Sequence, residues 1–146
     1  MTIVISKQQS WNIQRGLDKG TVKFVDRIMP VFYTYFKTEC YTNGGVVAAF
    51  PTLNDLSNAG YISQNHPTSP RGILTLIIDR TNPNTILNVS LEFDNPAQAR
   101  KVFNIQSIYA PTLTDSTITW EASVLTLANS EQAIDEGLFL ATNNCL

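Results

Sequence analysis

The fold is decided by residues 11–40, WNIQRGLDKGTVKFVDRIMPVFYTYFKTEC. A stripe of mostly apolar side chains recurs there at intervals of three and four residues, the spacing of one face of an α-helix. The stripe consists of Leu17, Thr21, Phe24, Ile28, Val31 and Tyr35, and it is widened by Ile13, Val25, Phe32 and Phe36. We therefore predict one long amphipathic helix over residues 6–40, on the order of 50 Å long at 1.5 Å per residue.

The predicted helix contains one interruption and has a clear end. Pro30 lacks a backbone N–H, so it removes one helical hydrogen bond and predicts a kink. Residues 42–45, Thr-Asn-Gly-Gly, form a stop signal. Because a helix of this length exceeds what a chain of 146 residues needs to bury, we expect the end around Trp11, Ile13 and Leu17 to be partly exposed.

Basic residues recur at every fourth position on another face of the same helix. This set, which we call the basic ridge, consists of Arg15, Lys19, Lys23 and Arg27. Asp18 and Asp26 lie close enough along the helix to screen parts of the ridge. Two interpretations stay open: the ridge is an ordinary solvated face, or it is a surface that meets an acidic partner.

Charge is distributed unevenly along the chain. Residues 1–40 carry six basic and three acidic groups, whereas residues 92–146 carry two basic and seven acidic groups. The net charge of -2 and the pI of about 5.2 argue against general nucleic-acid binding. A basic helix and an acidic carboxy-terminal half are suited to head-to-tail association, although ordinary solvated faces produce the same counts.

The rest of the chain predicts a short helix followed by strands. Residues 50–62, FPTLNDLSNAGYI, contain a helix that Thr52 and Asp55 cap and that Gly60 ends. A second short helix is predicted over Ala97–Phe103. The strand candidates are Ile73–Asp79, Thr85–Phe93, Thr117–Leu127 and Leu138–Thr142.

These patterns predict one α+β domain over residues 1–146. Its parts are the long helix at residues 6–40, a connecting segment at residues 41–72 and a sheet region at residues 73–146. Apolar and polar residues alternate in the strand candidates, so the sheet has one wet face and is expected to be antiparallel. A long helix that precedes a run of strands favours packing of that helix against the sheet.

The two cysteines, Cys40 and Cys145, lie at the end of the long helix and next to last in the chain. A bridge between them would close a loop of 105 residues. In the chain-entropy model, closing such a loop stabilises the folded state by about 4–5 kcal/mol. Such a bridge implies an oxidising compartment. Two buried free thiols remain an alternative, and a metal pair is the weakest one, because a single distant histidine cannot complete a zinc site.

No pattern of catalytic residues stands out. His66 is the only histidine and lies in a Pro-rich loop, where a solvated role is the ordinary one. Nucleophile elbows, phosphate loops and zinc or calcium motifs are absent from the sequence. Acidic groups that we considered as a carboxylate pair or a calcium site are Asp79 with Glu92, and Glu131 with Asp135 and Glu136. We expect a protein that is not an enzyme and that needs no cofactor or metal.

The whole layout resembles the soluble domain of a type IV pilin. The resemblance rests on the helical stripe of residues 11–40, the 50–62 unit, the Pro-Arg-Gly turn at 70–72 that leads into a strand, and the late Cys145. It implies a long helix packed against an antiparallel sheet, closed near the carboxy terminus by a disulfide. A complete pilin also has a leader and an apolar first half-helix with an early glutamate. This sequence contains neither, so we expect it to be the soluble domain of such a subunit.

The function that the resemblance implies is a structural subunit of a type IV pilus, as a major or minor pilin. Such subunits assemble into extracellular filaments for adhesion or motility, and an inner-membrane anchor holds them before assembly. The implied partners are other pilin subunits, and the implied location is the periplasm and then the cell surface. The alternatives are a pseudopilin of a type II secretion system and an exported, disulfide-stabilised binding or adhesin domain. The implied assembly surface consists of Trp11, Arg15, Leu17, Lys19, Lys23 and Arg27.

Overall fold

The computed structural model describes residues 7–63, 68–81, 83–127 and 139–146. Its first element, α1, is a helix of 36 residues from Lys7 to Thr42. The helix continues across Pro30 without a break. The predicted long helix is therefore confirmed, and it extends two residues beyond the predicted end.

The predicted stripe forms the core face of α1 over most of its length. Its members Thr21, Phe24, Ile28 and Tyr35 are buried, as are the widening residues Val25, Phe32 and Phe36. Val31 is half-buried, and Ile13 and Leu17 are exposed, as expected for the amino-terminal end. The core face is wider than predicted, because Val22, Met29, Tyr33 and Cys40 are buried as well.

The connecting segment contains the short helix α2, Leu53–Asn58. The Thr52 hydroxyl accepts a hydrogen bond from the Asp55 N–H at 3.2 Å, and the Asp55 carboxylate accepts one from the Thr52 N–H at 2.8 Å. Gly60 follows the helix with a φ of +87°, a conformation that favours glycine. The predicted capping box and helix end are confirmed, and Leu56 is the side chain that α2 buries completely.

Four antiparallel strands form the sheet in the spatial order β1-β2-β4-β3. The strands are β1 (Ile73–Asp79), β2 (Ile86–Glu92), β3 (Ala110–Thr114) and β4 (Thr117–Ser123). Helix α3, Pro96–Phe103, connects β2 to β3, and a short helix α4, Val124–Leu127, follows β4. The α+β arrangement with an antiparallel sheet is therefore as predicted.

Two strand predictions were wrong. The predicted strand Thr117–Leu127 ends at Ser123, and its last four residues form α4. Of the predicted strand Leu138–Thr142, the described residues 139–142 form a helical turn instead. Strand β3 was missed, because five residues that include Pro111 give a weak strand signal.

The two faces of the sheet have different chemistry. The face against α1 contains the largest buried side chains, including Trp120, which is 1% exposed. Other residues on this face are Leu76, Ile78, Leu87, Val89, Leu91 and Ile118. Successive side chains of a strand alternate between faces, so the outer face carries mainly hydroxyl, amide and carboxylate groups. Core formation thus uses one face of the sheet and leaves the other wet.

A candidate assembly surface on the long helix

The amino-terminal turns of α1 present apolar side chains to solvent. Trp11 is 58% exposed, Ile13 is 50% exposed and Leu17 is 37% exposed. Every residue from Ser10 to Leu17 is exposed, and burial begins at Asp18. The partial exposure expected for this end is therefore present, whereas its role in assembly stays a prediction.

An ion pair marks the point where α1 joins the folded domain. The Arg71 Nε lies 2.7 Å from the Asp18 Oδ1, and both side chains are largely buried. Arg71 also donates a hydrogen bond to the Gln14 side-chain oxygen. The carboxylate of Asp18 is thus held by the turn at residues 70–72, and its screening of the ridge stays a prediction.

Asp26 is likewise used within the domain. Its carboxylate accepts hydrogen bonds from the Ser107 hydroxyl at 2.7 Å and from the Ile108 N–H at 3.3 Å. Burial, and then the negative charge of Asp26, raise the pKa of Tyr109. Asp26 therefore anchors the segment between α3 and β3, and it makes no ion pair with the ridge.

The basic ridge itself is exposed along its whole length. The Arg15 guanidinium lies 5.2 Å from the centre of the Trp11 ring, a cation–π contact. In the part of the chain that the structure describes, Lys19, Lys23 and Arg27 have no ion-pair partner. The ridge is therefore a row of exposed cations without a counter-charge among the residues that the structure describes.

The ridge and the acidic groups lie on opposite sides of the molecule. Lys23 and Arg27 lie on the side of α1 away from the buried face that contains Val25 and Met29. Glu92 and Glu121 are exposed and alternate with inner-face residues of the sheet, so they lie on its outer face. One side of the domain is thus cationic and the other carries carboxylates.

The carboxy-terminal end of α1 is closed by a disulfide. Cys40 and Cys145 are joined with a Cα–Cα separation of 6.0 Å, and neither side chain is exposed. The predicted bridge is therefore confirmed, and no free cysteine remains. This excludes the free-thiol and metal alternatives for the pair.

Two helix ends meet at this disulfide with the same backbone geometry. At the end of α1, Gly44 has a φ of +65° and the Gly45 N–H donates to the Cys40 carbonyl at 2.7 Å. At the end of the turn 139–142, Asn144 has a φ of +58° and the Cys145 N–H donates to the Leu140 carbonyl at 2.7 Å. Both are left-handed helix ends that satisfy otherwise unpaired carbonyls.

Arg80 ties these two ends together. Its guanidinium donates to the Gly45 carbonyl and, at 2.6 Å, to the Asn144 carbonyl. The same guanidinium lies 5.7 Å from the centre of the Phe36 ring. We call the disulfide with Arg80, Gly45 and Asn144 the carboxy-terminal clasp. No sequence pattern pointed to Arg80, which simply follows the last residue of β1.

The acidic pairs considered as metal sites do not come together where the structure describes them. Asp79 pairs with Ile86 and Glu92 with Ile73, so the two carboxylates lie at opposite ends of the β1–β2 ladder. Hydrogen bonds from the Thr81 hydroxyl and N–H hold the pKa of Asp79 below its usual value. Among the described residues no group of His, Cys, Asp or Glu is placed to hold a metal ion. The remaining candidates, His66, Glu131, Asp135 and Glu136, lie outside the described residues.

Within the described ranges, no helix combines the length and apolar character that crossing a bilayer requires. Comparison with protein-family models, curated proteins and solved structures finds no match to the chain. The resemblance to pilins therefore rests on the residues quoted in the sequence analysis.

Proposed function

We propose that this chain is the soluble domain of a structural subunit of a type IV pilus, a major or minor pilin that assembles into extracellular filaments. The observation that carries the proposal is the division of α1. Its carboxy-terminal half fills the core of an α+β domain, while its amino-terminal turns hold Trp11, Ile13 and Leu17 in solvent. No enzymatic activity is proposed.

The exposed apolar residues are suited to contacts with several neighbouring helices. At 100° per residue, Trp11 lies on a different side of the helix from Ile13 and Leu17. A helix that is apolar on more than one side is typically surrounded by other elements. A filament core supplies such neighbours, because each helix there packs on copies from several subunits. Before assembly, an apolar segment preceding this end would hold the subunit in the inner membrane.

Charge supports the same arrangement. The exposed cations of the basic ridge lie on one side of the domain, and exposed carboxylates such as Glu92 and Glu121 lie on the other. Complementary patches on opposite sides of one molecule favour heterologous contacts, which propagate into a filament when they do not close into a ring. The ridge would then face acidic groups of the 92–146 region on another subunit.

The disulfide supports an oxidising location. Bridges between buried cysteines persist in the periplasm and at the cell surface, where a pilin is stored and then displayed. Among filament subunits it favours the pilus over the type II secretion pseudopilus, which is the second candidate.

The test is a charge reversal in the full-length protein of the producing organism. Lys19→Glu with Lys23→Glu is expected to reduce the number of surface filaments seen by electron microscopy. The melting temperature of the purified domain should stay nearly constant, because exposed charges contribute at most about 1 kcal/mol each to folding.

A matched control reverses one exposed cation elsewhere. Arg100→Glu on α3 changes the net charge as much as Lys23→Glu alone does on the ridge, and it should leave more filaments than that single ridge variant. Normal filaments from the ridge variant would remove the ridge from assembly. A gene deletion that leaves piliation unchanged would contradict the pilin proposal, and loss of secretion alone would favour the pseudopilin.

A further inference from the structure

The first strand of the sheet has a free edge. In the order β1-β2-β4-β3, β1 pairs only with β2. The Ile78 N–H points away from β2 and donates to the Ala49 carbonyl at 2.8 Å. Backbone groups of an antiparallel strand alternate in direction, so the N–H and C=O of Leu76 and Leu74 point the same way. These groups have no hydrogen-bond partner among the described residues.

The free edge lies in a groove and not on an open surface. A groove of about 380 Å³ separates residues 74–76 of β1 from residues 50–53 of the connecting segment. Leu76 is only 2% exposed, so its outward backbone groups are largely sheltered from water. Sheltered backbone groups without a partner are rare in folded proteins, since each costs about as much as a lost hydrogen bond. With respect to the described residues, the groove therefore contains unpaired donors and acceptors in the spacing of a β-strand.

The two edges of the sheet differ in their outward N–H groups. The Val124 N–H donates to the Thr85 carbonyl, so the backbone groups of Trp120 point to β2 and those of Pro111, which lies opposite Trp120, point to the free edge of β3. Proline and charged residues are the usual means of preventing a sheet edge from pairing. Before Asp79, β1 contains neither. One outward N–H of β3 is thus removed, whereas β1 keeps the outward N–H groups of Leu74 and Leu76.

We propose that the groove between β1 and residues 50–53 binds an extended peptide segment of another polypeptide, which adds a fifth strand beside β1. The backbone of such a segment supplies the acceptors and donors that Leu74 and Leu76 lack. A folded second copy of the domain is a poor occupant, because residues 50–53 occupy the space that its neighbouring strands would need.

The walls of the groove define the side chains of the segment. On the core side, the added strand would meet Leu53 and Leu74, which are half-buried and apolar. On the outer side it would lie beside the exposed Thr75. Phe50, which is 67% exposed, forms part of the opposite wall. The segment should therefore alternate apolar and polar residues. This inference is independent of the pilin proposal, since it depends only on the sheet edge.

The test uses hydrogen exchange at single amides of the intact chain. The probe is a capped peptide of alternating valine and threonine with a terminal lysine for solubility. At ten times its dissociation constant, the peptide should slow exchange of the Leu74 and Leu76 amides by about tenfold, as mass action requires. The same peptide with alternate residues N-methylated should bind at least about tenfold more weakly, because its hydrogen-bonding edge is removed.

Protein variants test separately how the edge of β1 and the opposite wall of the groove contribute to peptide binding. Leu74→Pro removes an outward N–H without removing a bond to β2, and it should abolish binding. Phe50→Ala should weaken binding while the exposed position keeps the fold intact. Thr75→Val, whose N–H points to β2, is the control and should bind within about twofold of the original chain.

Three outcomes would overturn the proposal. The first is unchanged exchange at Leu74 and Leu76 in saturating peptide, and the second is equal affinity for the N-methylated peptide. The third is a concentration-dependent dimer that protects these amides without peptide, which would assign the edge to a second copy. If Leu74→Pro fails to fold, the peptide pair still decides the question, because it is measured on the unaltered chain.

Discussion

The two ends of α1 are held by different means. At the carboxy-terminal end, a disulfide, two left-handed helix ends and the Arg80 guanidinium join three distant parts of the chain. At the amino-terminal end, Arg71 contacts Asp18 and Gln14, and the apolar side chains of Trp11, Ile13 and Leu17 are exposed. One helix thus serves as a fixed core element and as a free surface. Stability is expected to depend on the first end and assembly on the second.

The largest effect is expected from breaking the clasp at its covalent bond. Cys145→Ser should lower the free energy of unfolding by about 4–5 kcal/mol, because the bridge closes a loop of 105 residues. That loss corresponds to a fall in melting temperature of roughly 10–20 °C. Thermal unfolding followed by circular dichroism measures it.

The control for the cysteine variant is Cys40→Ser with Cys145→Ser, which leaves no unpaired thiol and should unfold at a similar temperature. A melting temperature within a few degrees of the original for both variants would mean that the clasp is held mainly by its hydrogen bonds.

A smaller effect is expected from the polar part of the clasp. Arg80→Ala removes the donors to the Gly45 and Asn144 carbonyls and the contact with Phe36. Charge-assisted hydrogen bonds at a partly exposed site justify an expected loss of about 2 kcal/mol. Arg80→Lys keeps the charge but lacks the planar fork, so it should recover only part of the loss. Urea unfolding of both variants provides the comparison, and equal stability of Arg80→Lys and the original would show that charge alone suffices.

The smallest effect is expected at the free end. Trp11→Ser with Leu17→Ser should change the free energy of unfolding by no more than about 0.5 kcal/mol, because surface substitutions away from core contacts rarely exceed that value. Filament formation by the full-length protein should nevertheless fall, since both side chains belong to the proposed assembly surface. A large loss of stability would instead make this end a part of the folded core, and the contrast between the two ends would disappear.

Local patterns predicted the elements that local chemistry controls. The long helix, the capping box of Thr52 with Asp55, and the left-handed Gly60 follow from residues close in sequence. Strand β3 and the helical turn at residues 139–142 escaped prediction. Short segments carry weak intrinsic preferences, so their pairing or tethering to distant residues decides their conformation.

For the candidate assembly surface, too, features that depend on local sequence were predicted, whereas contacts between distant residues were not. The exposure of Trp11, Ile13 and Leu17 followed from the length of the helix, which exceeds what the domain can cover. The partners of Asp18 and Asp26 did not follow, because Arg71 and Ser107 lie far away in sequence.

Local patterns in the sequence already indicated an α+β domain with a long amphipathic helix, a basic ridge and two cysteines at positions that a bridge can join. Periodicity, helix caps and the order of the elements depend on residues close in sequence, so the sequence shows them directly. Contacts between distant elements were needed to show that Asp18 pairs with Arg71, that Arg80 completes the clasp, and that among the described residues β1 has a free edge beside Phe50. These features arise from contacts between residues distant along the chain, whose geometry no local pattern encodes.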